Sequence, residues 1–150
     1  MRYDSILFDL DGTLWDSTDA VAASWEEALA GVPDIEGPPT RAQLEGVMGM
    51  TAEDLMAKLY PHLSKERHME LFDRCCQVEN TYLREHGGVL YPQLEETLEA
   101  LSQKLPLFIV SNCNAEYIPC FLDAHQLHRY FQDWECIGRT GKQKWENIRL

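Results

Sequence analysis

Ser5-Ile6-Leu7-Phe8-Asp9-Leu10-Asp11-Gly12-Thr13 joins a short continuous apolar run to a loop of acids, glycine and threonine. Such a run, bounded by turn residues, predicts a strand buried in a parallel sheet, with the acids just past its carboxyl end. A second run, Leu107-Phe108-Ile109-Val110, follows Pro106 and ends at Ser111-Asn112, again small and polar. Leu94, Leu98, Leu101 and Leu105 recur at helical spacing, so a helix precedes that strand. Asn114 reads as the N-cap of a further helix through Phe121 and Leu122, which Pro119 permits only near its first turn. Trp134-Glu135-Cys136-Ile137 is a shorter third strand. The alternation predicts an α/β fold: a parallel sheet with helices on both faces, whose ligands lie beyond the carboxyl ends of the strands. Asp9, Asp11 and Ser111 stand at such ends.

From about Asp16 to His86 the texture changes. This stretch offers no convincing strand but several helices with visible starts. Val21, Trp25, Ala28 and Leu29 make one apolar stripe. Thr40-Arg41-Ala42-Gln43 fits a capping box ahead of Leu44, Val47 and Met48. Thr51 caps a helix carrying Leu55 and Leu59, and Ser64 a longer one carrying Met69, Phe72, Cys76 and Leu83. Gly31 to Pro39 and Gly87-Gly88 supply the breaks, so an all-helical segment is inserted between the first strand and the rest of the sheet.

With 150 residues, 45% hydrophobic and 25% charged, the composition is that of one globular chain rather than a disordered one. Thirteen Lys and Arg against 25 Asp and Glu give a net charge of -12, the wrong sign for a phosphate-backbone binder. Nucleic acid is therefore not expected as a partner. Nor is a membrane, since no apolar run approaches the ~20 residues of a spanning helix. Acids interrupt what would have to be a signal peptide's apolar stretch. The five cysteines are odd in number, two are adjacent, and none form a C-x-x-C pair. Reduced, buried or half-buried thiols in the cytoplasm are the expectation. His125 and His128 are three apart but have no third ligand in sight, so they predict surface positions rather than a metal site.

Side chains two apart on an extended segment face the same way, so Asp9 and Asp11 present two carboxylates to one crevice, with Gly12 turning the backbone. Such a pair suits acid–base work, or a nucleophile beside an acid that protonates the leaving oxygen. By itself D-x-D-G also fits calcium loops and ordinary turns.

The wider context is more specific. Asp9-Leu10-Asp11-Gly12-Thr13-Leu14-Trp15-Asp16-Ser17 after a hydrophobic strand resembles the first motif of the haloacid dehalogenase superfamily. The second motif, an apolar strand ending in Ser or Thr, is matched by Leu107 to Ser111. The third, a lysine shortly before the next strand, is matched within Gly141-Lys142-Gln143-Lys144-Trp145-Glu146-Asn147-Ile148. The helical insertion resembles the type 1 cap of the branch containing phosphoglycolate phosphatase and β-phosphoglucomutase, so the likeness spans essentially the whole chain.

That resemblance implies a Rossmann-like core from residues 1–15 and 89–150 and a helical cap from 16–88. It implies a Mg2+-dependent hydrolase of a small phosphorylated metabolite. Asp9 attacks phosphorus, while Asp11 protonates the departing alcohol and then activates water. Ser111 and the Asn112 amide hold a phosphoryl oxygen, and Gly12 and Thr13 join the substrate-binding set. Mg2+ sits on the Asp9 carboxylate and the backbone carbonyl of Asp11. Lys142 and Lys144 compete for the third-motif role. Lys144 is favoured because in the most similar branch the lysine directly precedes a small-residue position and Glu-Asn-Ile. An acid at Asp11 argues for phosphate esters over halides, whose departure needs no proton.

Substrate choice belongs to the cap, where Trp15, Trp25, Arg41, Met48 and Met50 are candidates. Met48-Gly49-Met50 resembles its substrate-facing loop, and the Arg41 fork suits a carboxylate or second phosphate. Core packing is the competing role for Trp25, and a surface position for Arg41. The family continues past the segment matched at Asn147 to a further strand with a fourth, acidic motif. Without that strand the edge of Ser5 to Asp9 is exposed, which predicts a fragment with impaired activity and self-association through the sheet edge. The alternatives are a sugar-phosphate mutase, or a noncatalytic module that binds a phospholigand or another protein.

Overall fold

In the computed structural model, which describes residues 3–149, the first apolar run forms β1 (Ile6–Phe8). The chain then makes a short strand β2 (Trp15–Asp16) before four helices: α1 (Thr18–Leu29), α2 (Arg41–Glu45), α3 (Ala52–Leu59) and α4 (Lys65–His86). It continues through β3 (Val89–Leu90), α5 (Leu94–Ser102), β4 (Leu107–Ser111), α6 (Tyr117–His125), a 3-10 turn at His128–Tyr130, β5 (Asp133–Cys136), α7 (Ile137–Thr140) and α8 (Lys144–Asn147).

β1, β4 and β5 form a parallel sheet in that order, with Ile6 opposite Leu107 and Ser111 opposite Cys136. This is the α/β, Rossmann-like architecture expected. Leu107 and Ile109 are wholly buried on one face of β4. The opposite face, with Leu7, Phe108 and Val110, lines an open groove of about 410 Å³ beside Asn147 and Ile148 of α8. Helices on both faces were expected. Here the second face carries Asp133 and Glu135 of β5 and meets only the short α8 among the described residues. Among the described residues β1 has a strand neighbour on one side only, and Leu7 is exposed on the open face.

The unexpected element is the antiparallel ribbon of β2 and β3, pairing Trp15 with Leu90 and Asp16 with Val89. At two residues each these strands are too short for a period-2 signal. They bring together the points where the helical excursion leaves and returns. Gly88 is required there, because a Cβ would lie 2.8 Å from the Trp15 ring. Trp15 is fully buried and stacks edge-on against Tyr117, Phe121 and His125.

The helix starts follow from local chemistry. Thr40 and Gln43 complete the capping box of α2, and Thr51 and Ser64 accept from the backbone N–H of Asp54 and Arg67. Two details differ from expectation. Asn114 accepts from Glu116 N instead of capping directly, so α6 begins at Tyr117 with Pro119 in its first turn. In α4 the buried face is His68, Leu71, Cys75, Cys76, Glu79 and Leu83, while Met69 is exposed. Two polar residues on that face disguise its register. α1 packs along α4, with Trp25 edge-on to Phe72.

All five cysteines are free. No helix among the described residues is long and apolar enough to cross a membrane. The outermost positions of the expected core, 1, 2 and 150, lie outside the described residues.

Candidate active site

The carboxyl ends of β1 and β4 converge with the start of α8. Lys144, the first residue of α8, places Nζ 2.6 Å from Asp9 Oδ2. Asp9 Oδ1 accepts from the backbone N–H of Leu10 at 2.8 Å, which fixes the carboxylate plane. Both side chains of the pair are partly open to solvent, at 29% and 41%. Ser111 is buried at the end of β4. The Asn112 side chain is a brace: Oδ1 accepts from Lys144 N at 2.8 Å, and Nδ2 donates to Gly49 O at 3.2 Å. It thus ties the lysine turn to the loop between α2 and α3.

Asp11 faces a different set of partners. Its Oδ1 accepts from Trp15 Nε1 at 2.9 Å, Ser17 Oγ at 2.7 Å and Tyr117 OH at 3.0 Å. Ser17 Oγ and Tyr117 OH also lie 2.9 Å apart. With both hydroxyl hydrogens and the indole N–H directed at Oδ1, the other carboxyl oxygen is left free to carry a proton. Burial pushes the Asp11 pKa up, and the nearby Asp9 charge adds to this, while the bonds from Ser17, Tyr117 and Trp15 oppose it. A half-buried carboxyl disposed to hold its proton beside a second, partly exposed carboxylate is the pairing that acid–nucleophile chemistry requires.

The profile of haloacid dehalogenase-like hydrolases matches residues 6–147. The chain belongs to the haloacid dehalogenase-like hydrolase family. A phosphoglycolate phosphatase of Vibrio vulnificus is 35% identical over 141 residues, covering 85% of this chain and 58% of the relative. One from Photobacterium profundum is 33% identical over 139 residues, with the same coverage. The chain thus spans about three fifths of the length of these curated relatives. A haloacid dehalogenase-like hydrolase from Streptococcus pneumoniae superposes with a TM-score of 0.73 at 24% identity, covering 89% of this chain and 60% of that one, a likeness of fold.

Within this family member, Asp9, Lys144, Ser111 and Asn112 gather at one end of the sheet, whereas Lys142 is exposed with its backbone N–H on Thr140 Oγ1. Gly12 takes a left-handed φ of 74°, and Thr13 is exposed in the same turn. Two expectations are corrected. Trp15 does not face a ligand: it is wholly buried, with its indole N–H on Asp11. Arg41 is not free for a second anion, because Asp16 at 3.0 Å, Glu45 at 2.9 Å and Asp19 surround its guanidinium. Met48 and Met50 line a small cavity that also reaches Asp11 and Asn112.

Sequence reasoning missed Ser17, Tyr117 and Glu79. Ser17 stands inside the quoted first motif. Glu79 left a signal too, as an acid on the buried face of α4. Tyr117 left none, since 106 residues separate it from Asp11.

The donor set fits a hard cation. Asp9 has lone pairs left after Leu10 N and Lys144, and it is accessible to solvent. No cluster of three His, Cys, Asp or Glu able to hold a metal occurs among the described residues. A partly exposed carboxylate with free lone pairs is the kind of oxygen donor that a hard cation takes alongside waters.

Proposed function

We propose that the protein hydrolyses a small phosphate monoester through an aspartyl-phosphate on Asp9, with residues 16–88 acting as a helical cap on a core formed by 1–15 and 89–150. The observation that carries the proposal is the contact of Lys144 with Asp9, 2.6 Å across 135 residues of sequence, beside Ser111 and Asn112. The relatives' description as phosphoglycolate phosphatases supports the reaction class.

In this mechanism Asp9 attacks phosphorus and the ester P–O bond breaks. Asp11 gives its proton to the leaving alkoxide, then takes one from the water that cleaves the acyl-phosphate, releasing inorganic phosphate and restoring both carboxyls. Lys144 and Ser111 hold the non-bridging oxygens. Mg2+, held by the Asp9 carboxylate and the Asp11 carbonyl, would supply the positive charge that lets an anionic carboxylate meet a phosphate dianion. Tyr117, Ser17 and Trp15 are positioning residues that fix Asp11 Oδ1 and so aim its other oxygen.

Acid-quenched protein taken during turnover should carry one phosphoryl group on the peptide containing Asp9. A label on any other residue overturns the assignment. Asp11→Asn is expected to slow alkyl phosphates by about 10²–10⁴-fold but p-nitrophenyl phosphate far less, because nitrophenolate leaves without a proton. Comparing kcat for the two esters checks this. For Tyr117→Phe, loss of a bond that lowers the Asp11 pKa should move the alkaline limb of the kcat/KM profile upward, with kcat reduced about tenfold. A purely structural tyrosine would leave that limb in place.

A further inference from the structure

Ser111 and Cys136 face each other at the ends of β4 and β5, and the chain beyond each strand stays side by side with the other. Gly138 N donates to Cys113 O at 3.0 Å. Gly138 permits that approach, since a Cβ there would lie 2.2 Å from Ala115 N. The juxtaposition brings two thiols together. Cys113 S–H donates to the Cys136 sulfur, and Cys136 Sγ lies 3.6 Å from Asn114 O. Cys120 by contrast donates to Asn80 O at 3.2 Å, and Cys75 and Cys76 sit apart on α4. The paired thiols differ in access. Cys136 is wholly buried, whereas Cys113 is half-buried and lines the half-open space beside Asp11 and Asn112.

Resting on the phosphatase reading above, we propose that Cys113 and Cys136 form an oxidation site, at which hydrogen peroxide joins the two sulfurs as a disulfide and slows phosphate release until a reductant opens the bond. Its position makes such a bond consequential. Cys113 directly follows Ser111 and Asn112, and its sulfur accepts from the Ser111 side chain. Drawing that sulfur from hydrogen-bond range to an S–S bond of about 2.05 Å pulls it off Ser111. The same movement shifts Asn112, whose side chain braces both Lys144 and Gly49.

The chemistry consumes one peroxide and needs both thiols. The bond from Cys113 lowers the Cys136 pKa, aided by the N–H groups of Arg139 and Gly138 against burial, so Cys136 ionises first and serves as the base for Cys113. Cys113 passes its proton to Cys136 and attacks peroxide from the open side. An S–O bond forms, the O–O bond breaks, and the departing hydroxide takes the proton from Cys136 as water. The Cys136 thiolate then attacks the sulfenic sulfur of Cys113. An S–S bond forms, the S–O bond breaks, and the second hydroxide becomes water with a proton from solvent. Both sulfurs are oxidised, and the peroxide is reduced to two waters.

Peptide mapping and p-nitrophenyl phosphate turnover, measured on the same sample before peroxide, after it and after dithiothreitol, test this. The expected result is a disulfide between Cys113 and Cys136, a fall in kcat/KM of at least about tenfold, and recovery on reduction. Cys136→Ser keeps an acceptor for Cys113 but removes the second sulfur, so it should retain wild-type turnover within about twofold and lose less than about twofold in peroxide. Peroxide-treated wild type in which Cys113 is unlinked or linked to another cysteine overturns the proposal. So does a mapped bond that leaves turnover unchanged, or a loss that dithiothreitol does not restore. Reduced protein that hydrolyses no ester overturns the phosphatase reading instead, and the mapping alone then decides whether these two thiols are joined.

Discussion

Asp9→Asn is expected to lower phosphate release from p-nitrophenyl phosphate by at least about 10⁴-fold while leaving the unfolding midpoint nearly unchanged. The amide is isosteric and can still accept from Leu10 N, so the turn after β1 keeps its bond. What disappears is the nucleophilic oxygen anion, and with it any covalent route to the phosphoryl group. The substitution also sets an amide against the Lys144 ammonium in place of a carboxylate. Because that pair is partly solvated, its loss costs little stability. Activity and folding therefore separate: a melting curve and a phosphate assay on the same sample decide the matter. Turnover within tenfold of wild type would remove Asp9 from the nucleophile's role.

The second large effect concerns stability. Glu79 has its pKa pushed up from 4.5 to about 8, chiefly by burial, with the Trp25 bond opposing and the Asp11 charge adding. Between those values the folded chain keeps a proton that the unfolded chain has released. Its contribution is thus fully present below about pH 4.5 and is lost as pH rises through about 8. At 1.36 kcal/mol per unit, the span corresponds to roughly 4 to 5 kcal/mol at most, a large part of an ordinary domain's stability. Glu79→Gln keeps the acceptor for Trp25 Nε1 and cannot ionise. Urea midpoints at pH 5, 7 and 9 should show the variant gaining on wild type as pH rises, with the widest gap at pH 9. A constant difference would mean that Glu79 ionises normally. Asp11, also raised by burial, keeps some pH dependence in both proteins.

The same two acids show what can be read along a chain. The alternation of apolar runs with helical spacing was enough for this sheet, since β1, β4 and β5 overlap the predicted runs of residues 5–8, 107–110 and 134–137, although Ile137 instead opens α7. Caps at Thr40, Thr51 and Ser64 were legible because a hydroxyl bonding to an N–H three residues on is a local event. Lys144 was separable from Lys142 only through a family resemblance, as both are lysines in a polar turn. The ribbon of β2 and β3 escaped notice because its pairing joins residues more than seventy positions apart and each strand is too short to show a period.

The amino-acid order thus determined the sheet, the helix starts and the pair of acids past β1, all consequences of spacing and neighbouring bonds. Tertiary structure alone decided what surrounds those acids. Tyr117 arrives at Asp11 from α6, Lys144 at Asp9 from α8, and Glu79 at the shared cavity from α4. It also turned Trp15 inward and tied Arg41 to its neighbouring acids. The strength of a charge depends on its burial and partners, and those are set by chain segments that sequence distance keeps apart.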